Sequence, residues 1–139
     1  MEKPEHIQRV VCGGDIYAVI IRNTLPHKGY NFVSENTDSM QVGVNHYDSG
    51  ATIRAHFHLP VERALSDTLE VLHFDSGVCL MALYDENQNK FFETQVGDGD
   101  TVVLMKGGHS FKVLEPTRII EVKQGPYLGQ ARDKVFFEG

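Results

Sequence analysis

Hydrophobic positions along this chain fall into short runs separated by clusters of Gly, Asp, Asn, Ser and Pro, a rhythm of strands and turns rather than helices. Residues 15–22 (DIYAVIIR) follow a Gly-Gly pair and are rich in β-branched side chains, so they read as a strand. Residues 23–39 are turn-rich, with a small apolar patch at 30–33. Two strands are expected next, 40–47 and 51–59 (ATIRAHFHL), with a turn at Asp48-Ser49-Gly50 between them. Residues 61–71 carry the one helical spacing in the chain and are placed as a connection. Residues 69–74 return to strand and turn at Asp75-Ser76-Gly77 into the continuous apolar run VCLMALY, which fits a buried strand. Further strands are expected at 90–96, 101–105, 109–115 and 117–124, with a turn at Glu115-Pro116. The tail beyond 124 reads as loop with a candidate closing edge strand at 134–137. Some nine or ten short strands with almost no helix predict an all-β antiparallel sandwich or barrel.

Length and composition narrow the class without changing that picture. At 139 residues a single domain over 1–139 is expected, long enough to bury a core without staples. A chain that is 41% hydrophobic and 23% charged is neither disordered nor collagen-like. The net charge of −6, with no Lys/Arg cluster, argues against nucleic acid as a partner. A small anionic ligand stays compatible with it, because a few inward-facing basic residues outweigh a negative exterior locally. No apolar run approaches the roughly 20 residues that span a bilayer, and no apolar leader opens the chain, so a cytoplasmic location off the membrane is expected. Cys12 and Cys79 stand alone, which reads as reduced thiols, with Cys79 in the core.

The chemistry concentrates at His56-Phe57-His58. On a strand, residues i and i+2 share a face, so Arg54, His56 and His58 point one way and both imidazoles reach one ion. The alternative is an exposed outer face. Glu70 opens one later strand and His109 another, each after a connection that lets it cross to the histidine pair. Three imidazoles and a carboxylate suit Fe(II), Mn(II), Ni(II), Zn(II) or Co(II). Further along, Glu121 and Lys123 share a face of an otherwise apolar strand. Buried charges must be paired or contact a ligand, so these two either neutralise each other or, with Arg54, handle a substrate. His73 is out of phase with Glu70, His46 adjoins a turn, and Asp98-Gly99-Asp100 reads as a β-turn rather than a calcium loop.

At these residues the chain resembles the cupin superfamily. Gly50, five residues, His56-x-His58, then Glu70, six residues and Gly77 resemble its first motif; Gly99-Asp100-TVVLM-Lys106-Gly107-Gly108-His109 resembles its second. The resemblance covers about 40–124 and implies a cupin-type double-stranded β-helix, a jelly-roll barrel with extra N-terminal strands. It further implies one divalent transition metal inside, held by His56, His58, Glu70 and His109. Three departures stand out: eleven residues separate His58 from Glu70 where the pattern has three or four, Met105 replaces the usual proline with the spacing before His109 one residue short, and no asparagine follows His109. Glu62 stands at the short spacing and is the rival carboxylate. Loops tolerate insertions well, which favours Glu70.

Such a site fits a metal-dependent enzyme on a small polar or sugar-like metabolite, with isomerase/epimerase or dioxygenase chemistry and Arg54, Glu121 and Lys123 as catalytic or substrate-handling groups. The other reading is a non-catalytic binding module with a structural or sensing metal. The EVKQGPY tail resembles small cupins of surface-polysaccharide biosynthesis. Family resemblance also implies a homodimer, with strand 15–22 as the candidate contact.

Overall fold

Gly13 and Gly14 both lie at positive φ, 57° and 84°, where a two-residue turn matches the twist of the strands it joins. They close β1 (Ile7–Cys12) onto β2 (Asp15–Ile21) in antiparallel register, with Cys12 opposite Asp15. The computed structural model describes residues 5–29 and 31–139. They pack as two units, one holding the chain up to Leu25 together with Asp67–Gly139, the other Pro26–Ser66.

The first unit is a curled, antiparallel half-barrel sheet of six strands. Besides β1 and β2 it contains β3 (Glu70–Tyr84), β4 (Lys90–Gly97), β5 (Thr101–Leu104) and β6 (Gly108–Lys123). β3 is its axis. Along one edge it pairs β5 through residues 70–73 and β4 through residues 78–84, while β6 runs the full length of the other edge. β2 extends the sheet from β5 and is hydrogen-bonded on both sides, to β1 and β5. It therefore offers no free edge for the dimer contact expected at 15–22.

The core lies on one face of this sheet: Val10, Ala18, Ile20, Leu72, Phe74, Cys79, Met81, Leu83, Val96, Val102 and Leu104, with Phe91, Phe92 and Phe111 against it. The phase of β3 is informative. Inward residues are even-numbered at Leu72 and Phe74 but odd-numbered at Cys79, Met81 and Leu83. A strand changes face by one residue only at an irregularity, and the register to β6 shifts at three steps between Phe74 and Cys79. The turn expected at 75–77 is thus a set of bulges within one long strand. The turn expected at Glu115-Pro116 is the matching irregularity in β6, where a proline is tolerated because the strand lies at the sheet edge. Two pairs of expected strands merge, those expected at 40–47, 51–59 and 134–137 do not form, and β1 was not expected, so ten become six among the described residues.

Asp98 and Asp100 are spent on the β4–β5 turn. Buried Asp100 accepts hydrogen bonds from the Asn23 amide at 2.9 Å and the Gly97 amide at 3.0 Å, with the Arg22 guanidinium at 3.4 Å. Asp98 Oδ1 accepts from the Gly77 amide at 2.8 Å. This supports the β-turn reading.

The second unit is irregular. A bridge pairs Phe32 with Gly43, and the Val33 and Val44 amides donate across it at 2.8 Å each. The strand expected at 51–59 is not formed: residues 51–68 lie exposed in irregular backbone, with Phe57 97% and Leu59 82% accessible. Alternation alone does not hold a strand, whose backbone groups need a ladder partner. The connection at 61–71 is not helical either; the helix is α1 (Gln130–Asp133), in the tail, and 134–137 forms no strand. Among the described residues no helix is long and apolar enough to cross a membrane.

Candidate functional site

The curl of the sheet brings the two ends of the β3–β6 ladder to one place. Glu70 stands at the start of β3 opposite Lys123, while His109, at the start of β6, stands opposite Leu83 at the other end. In a straight ladder these positions would be about 43 Å apart, at ~3.3 Å per residue. Yet Glu70 and His109 line one pocket of about 630 Å³, within the usual size range of small-molecule sites. The bulges around Gly77 supply the bend. Gly107 opens the pocket floor at φ 75°, with the Tyr17 ring and the Tyr84 carbonyl so close that no Cβ would fit.

His109 keeps an open face, but surrounding atoms strip enough water from its ring to hold its pKa below the ordinary value. The Glu70 carboxylate opposes that shift, the Lys134 ammonium adds to it and Glu121 opposes it. A neutral imidazole is the form that binds metal. The sign for stability follows. The unfolded chain binds the proton more readily, so this contribution is present above about pH 6.5 and is lost as pH falls toward the folded pKa. In metal-free protein, NMR titration of His109 is expected to give a midpoint below about 6.5, moved down by Glu70→Gln and up by Lys134→Met. A midpoint at or above that value in the unsubstituted protein would contradict the assignment.

The tail builds one wall. The Lys123 ammonium lies 3.1 Å from Asp133, 3.8 Å from Glu121 and 5.4 Å from the centre of the Tyr127 ring. The Asp133 hydrogen bond first, and then the charges of Asp133, Glu121 and Glu70, raise its pKa against the opposing loss of water. At the far end Phe137 meets Tyr84 edge-on, ring centres 5.1 Å apart. Between these two anchors Lys134, Val135 and Phe136 also face the pocket. Lys123 thus has a nearer partner than the Glu121 expected from the sequence.

The expected site residues divide between the units. Glu70, His109, Glu121 and Lys123 belong to the first; Arg54, His56 and His58 belong to the second. There the two imidazoles of the motif lie 5.2 Å apart between ring centres. His56 Nδ1 donates to the Arg54 carbonyl at 2.6 Å, leaving Nε2 with its lone pair free, the usual preparation of a metal-ligating histidine. Glu62, the rival carboxylate, is exposed in the same stretch. Within neither unit do three or more described His, Cys, Asp or Glu side chains form a group able to hold a metal. Buried Cys79 is a core residue as expected. His73 is half-buried on the face opposite the inward Leu72 and Phe74, bonded through Nδ1 to Thr101 at 2.9 Å, and His46 stacks on His27.

In the sequence Lys134 and the Phe136-Phe137 pair read only as a candidate edge strand; they form none and instead line the pocket, a placement that the local pattern does not encode. Comparison with family models, curated proteins and solved structures finds no match.

Proposed function

We propose that this protein is a small metal-binding cupin whose jelly-roll motifs hold one divalent transition metal, and that it is an enzyme acting on a small polar or sugar-like metabolite. The observation that carries the reading is the convergence of Glu70 and His109, one residue from each motif, in a single pocket. Their oxygen and nitrogen donors fit such an ion, and the lowered pKa of His109 favours the ligating form. His56 and His58 enter by motif spacing, supported by the prepared Nε2 of His56.

A divalent ion in such a site polarises a carbonyl or enediolate oxygen, or with iron takes part in dioxygen chemistry. Glu121, exposed on β6 and electrostatically felt by His109, is the group proposed to move a proton. Lys123, fixed between Asp133 and Glu121, positions it. Arg54 stays a substrate handle by its place two residues before His56.

Gently purified protein is expected to carry about one transition-metal ion per chain by elemental analysis, and the His56→Ala/His58→Ala double variant to carry none. Protein that arrives empty and takes up no metal on titration would sink the reading. Iron would direct the search to oxygenase chemistry; zinc, nickel or manganese would direct it to isomerase or epimerase chemistry, or to the binding module if no turnover is found.

A further inference from the structure

We propose that residues 134–137 form a hinged strap along the Glu70–His109 pocket, closed when the Phe137 ring sits against Tyr84 and Gly108 and open to ligands when that ring leaves. The inference stands on how the tail is fastened and holds whether or not the pocket takes a metal ion. Its root is fixed. Asp133, at the end of α1, is gripped by the Lys123 ammonium at 3.1 Å, and the Lys134 amide donates to the Gln130 carbonyl at 3.1 Å. At Lys134 the chain leaves the helix in extended backbone, φ −148° and ψ 160°.

Beyond Lys134 the fastening changes. Among the described residues no backbone hydrogen bond is made by 135–139. Val135 and Phe136, both large and apolar, are 81% and 74% exposed. A segment with neither backbone hydrogen bonds nor buried apolar contacts opens far more readily than a hydrogen-bonded sheet. The residue that ends a helix and begins such a segment is where a hinge absorbs the change in backbone dihedral angles.

One aromatic seat holds the far end of the strap. Phe137 is half-buried and meets the Tyr84 ring edge-on at 5.1 Å. The Tyr84 hydroxyl is engaged by Ser110 at 3.0 Å, so no directional bond ties it to the strap. Gly108 makes the room: a Cβ there would lie 2.9 Å from the Phe137 ring. Gly108 is not at positive φ, so the close approach of the ring, rather than its own backbone, calls for glycine. The seat is thus made at the residue directly before His109, and Gly108, His109 and Phe137 all line the pocket. Unseating the ring therefore opens the way to His109, and seating it over a ligand excludes water from the same place.

The test uses the full-length protein after chelation, so that no bound ion shields the imidazole. Backbone amide relaxation by NMR is expected to show exchange at Val135, Phe136 and Phe137, with Gln130–Asp133 and β6 rigid. Diethyl pyrocarbonate at fixed pH, followed residue by residue by mass spectrometry, reads access to His109. Phe137→Ala is expected to speed modification of His109 by about threefold or more, the population shift that losing one aromatic seat implies, and to leave His27 unchanged. Gly108→Ala, whose Cβ displaces the ring without altering the tail, is expected to do the same. Phe136→Ala, which keeps the seat, is expected to stay within about twofold of the unsubstituted protein. Circular dichroism checks that each variant folds. A strap as rigid as α1, a His109 rate unchanged in both Phe137→Ala and Gly108→Ala, or an equal gain in Phe136→Ala would overturn the inference. Metal uptake, measured by elemental analysis, tests the metal reading separately.

Discussion

Replacing Gly77 with alanine is expected to lower the free energy of unfolding by about 2–6 kcal/mol, through backbone strain and overpacking together. Gly77 sits at φ 107°, a conformation that side chains rarely adopt. A Cβ there would press into the Thr117 hydroxyl and meet the Pro116 carbonyl and Thr117 Cα, each at 2.5 Å. Neither backbone atom gives way without moving β6. The residue also bonds the following turn in both directions, its amide to Asp98 Oδ1 at 2.8 Å and its carbonyl to the Asp98 amide at 3.0 Å. Since a domain is typically stable by only about 5–15 kcal/mol, the loss is a large share of the total. Urea denaturation measures it, with Gly13→Asn as control, because a Cβ at Gly13 would meet nothing within 4 Å and asparagine tolerates its φ of 57°. A Gly77→Ala protein within about 0.5 kcal/mol of the parent would mean that the bend does not depend on this residue.

The same glycine shows how far the sequence can be read. Asp75-Ser76-Gly77 between apolar runs carries the signature of a turn, and a bulge uses the same residues because both need a positive φ at glycine. Composition distinguishes strand from helix here, but whether the chain reverses or merely kinks depends on what lies opposite. That partner is β6, more than thirty residues on. Strand content in the first unit was therefore legible, as in DIYAVII, TVVL and KFFETQV, while the merging of strands was not. β1 escaped notice because Gln8 and Arg9 break its apolar run.

The site was legible in its residues more than in its geometry. Glu70 and His109 were singled out by motif spacing and do face one pocket. The strand expected at 51–59 rested on alternation in ATIRAHFHL, a pattern that exposed chain displays equally well when no neighbouring edge pairs with it. That Lys134 faces the pocket could not be foreseen, since its place depends on the anchoring of the tail by Asp133 and Phe137. A lysine followed two residues later by paired phenylalanines is the single clue the tail holds, and it is weak.

The carboxylate assignment makes the sharpest remaining test. Glu70→Gln is expected to weaken metal binding by more than about a hundredfold, beyond the usual cost of altering a ligand's supporting shell, whereas Glu62→Gln is expected to leave it unchanged. Glutamine keeps the shape of the side chain and removes its charge, so folding is little disturbed while the strongest anionic donor is lost. Glu70 is half-buried at the start of β3, where backbone pairing to Leu104 and Lys123 fixes it, and its charge is felt by His109. A ligand held in this way arrives already oriented, and little conformational freedom is lost on binding. Glu62 lies exposed in irregular backbone and would have to be ordered by the metal itself. Competition titration against a chromophoric chelator gives both affinities, and circular dichroism checks that each variant folds. The reverse outcome, Glu62→Gln losing the metal while Glu70→Gln keeps it, would transfer the fourth ligand to the exposed stretch. It would leave Glu70 as a free carboxylate beside His109, suited to moving a proton rather than holding an ion.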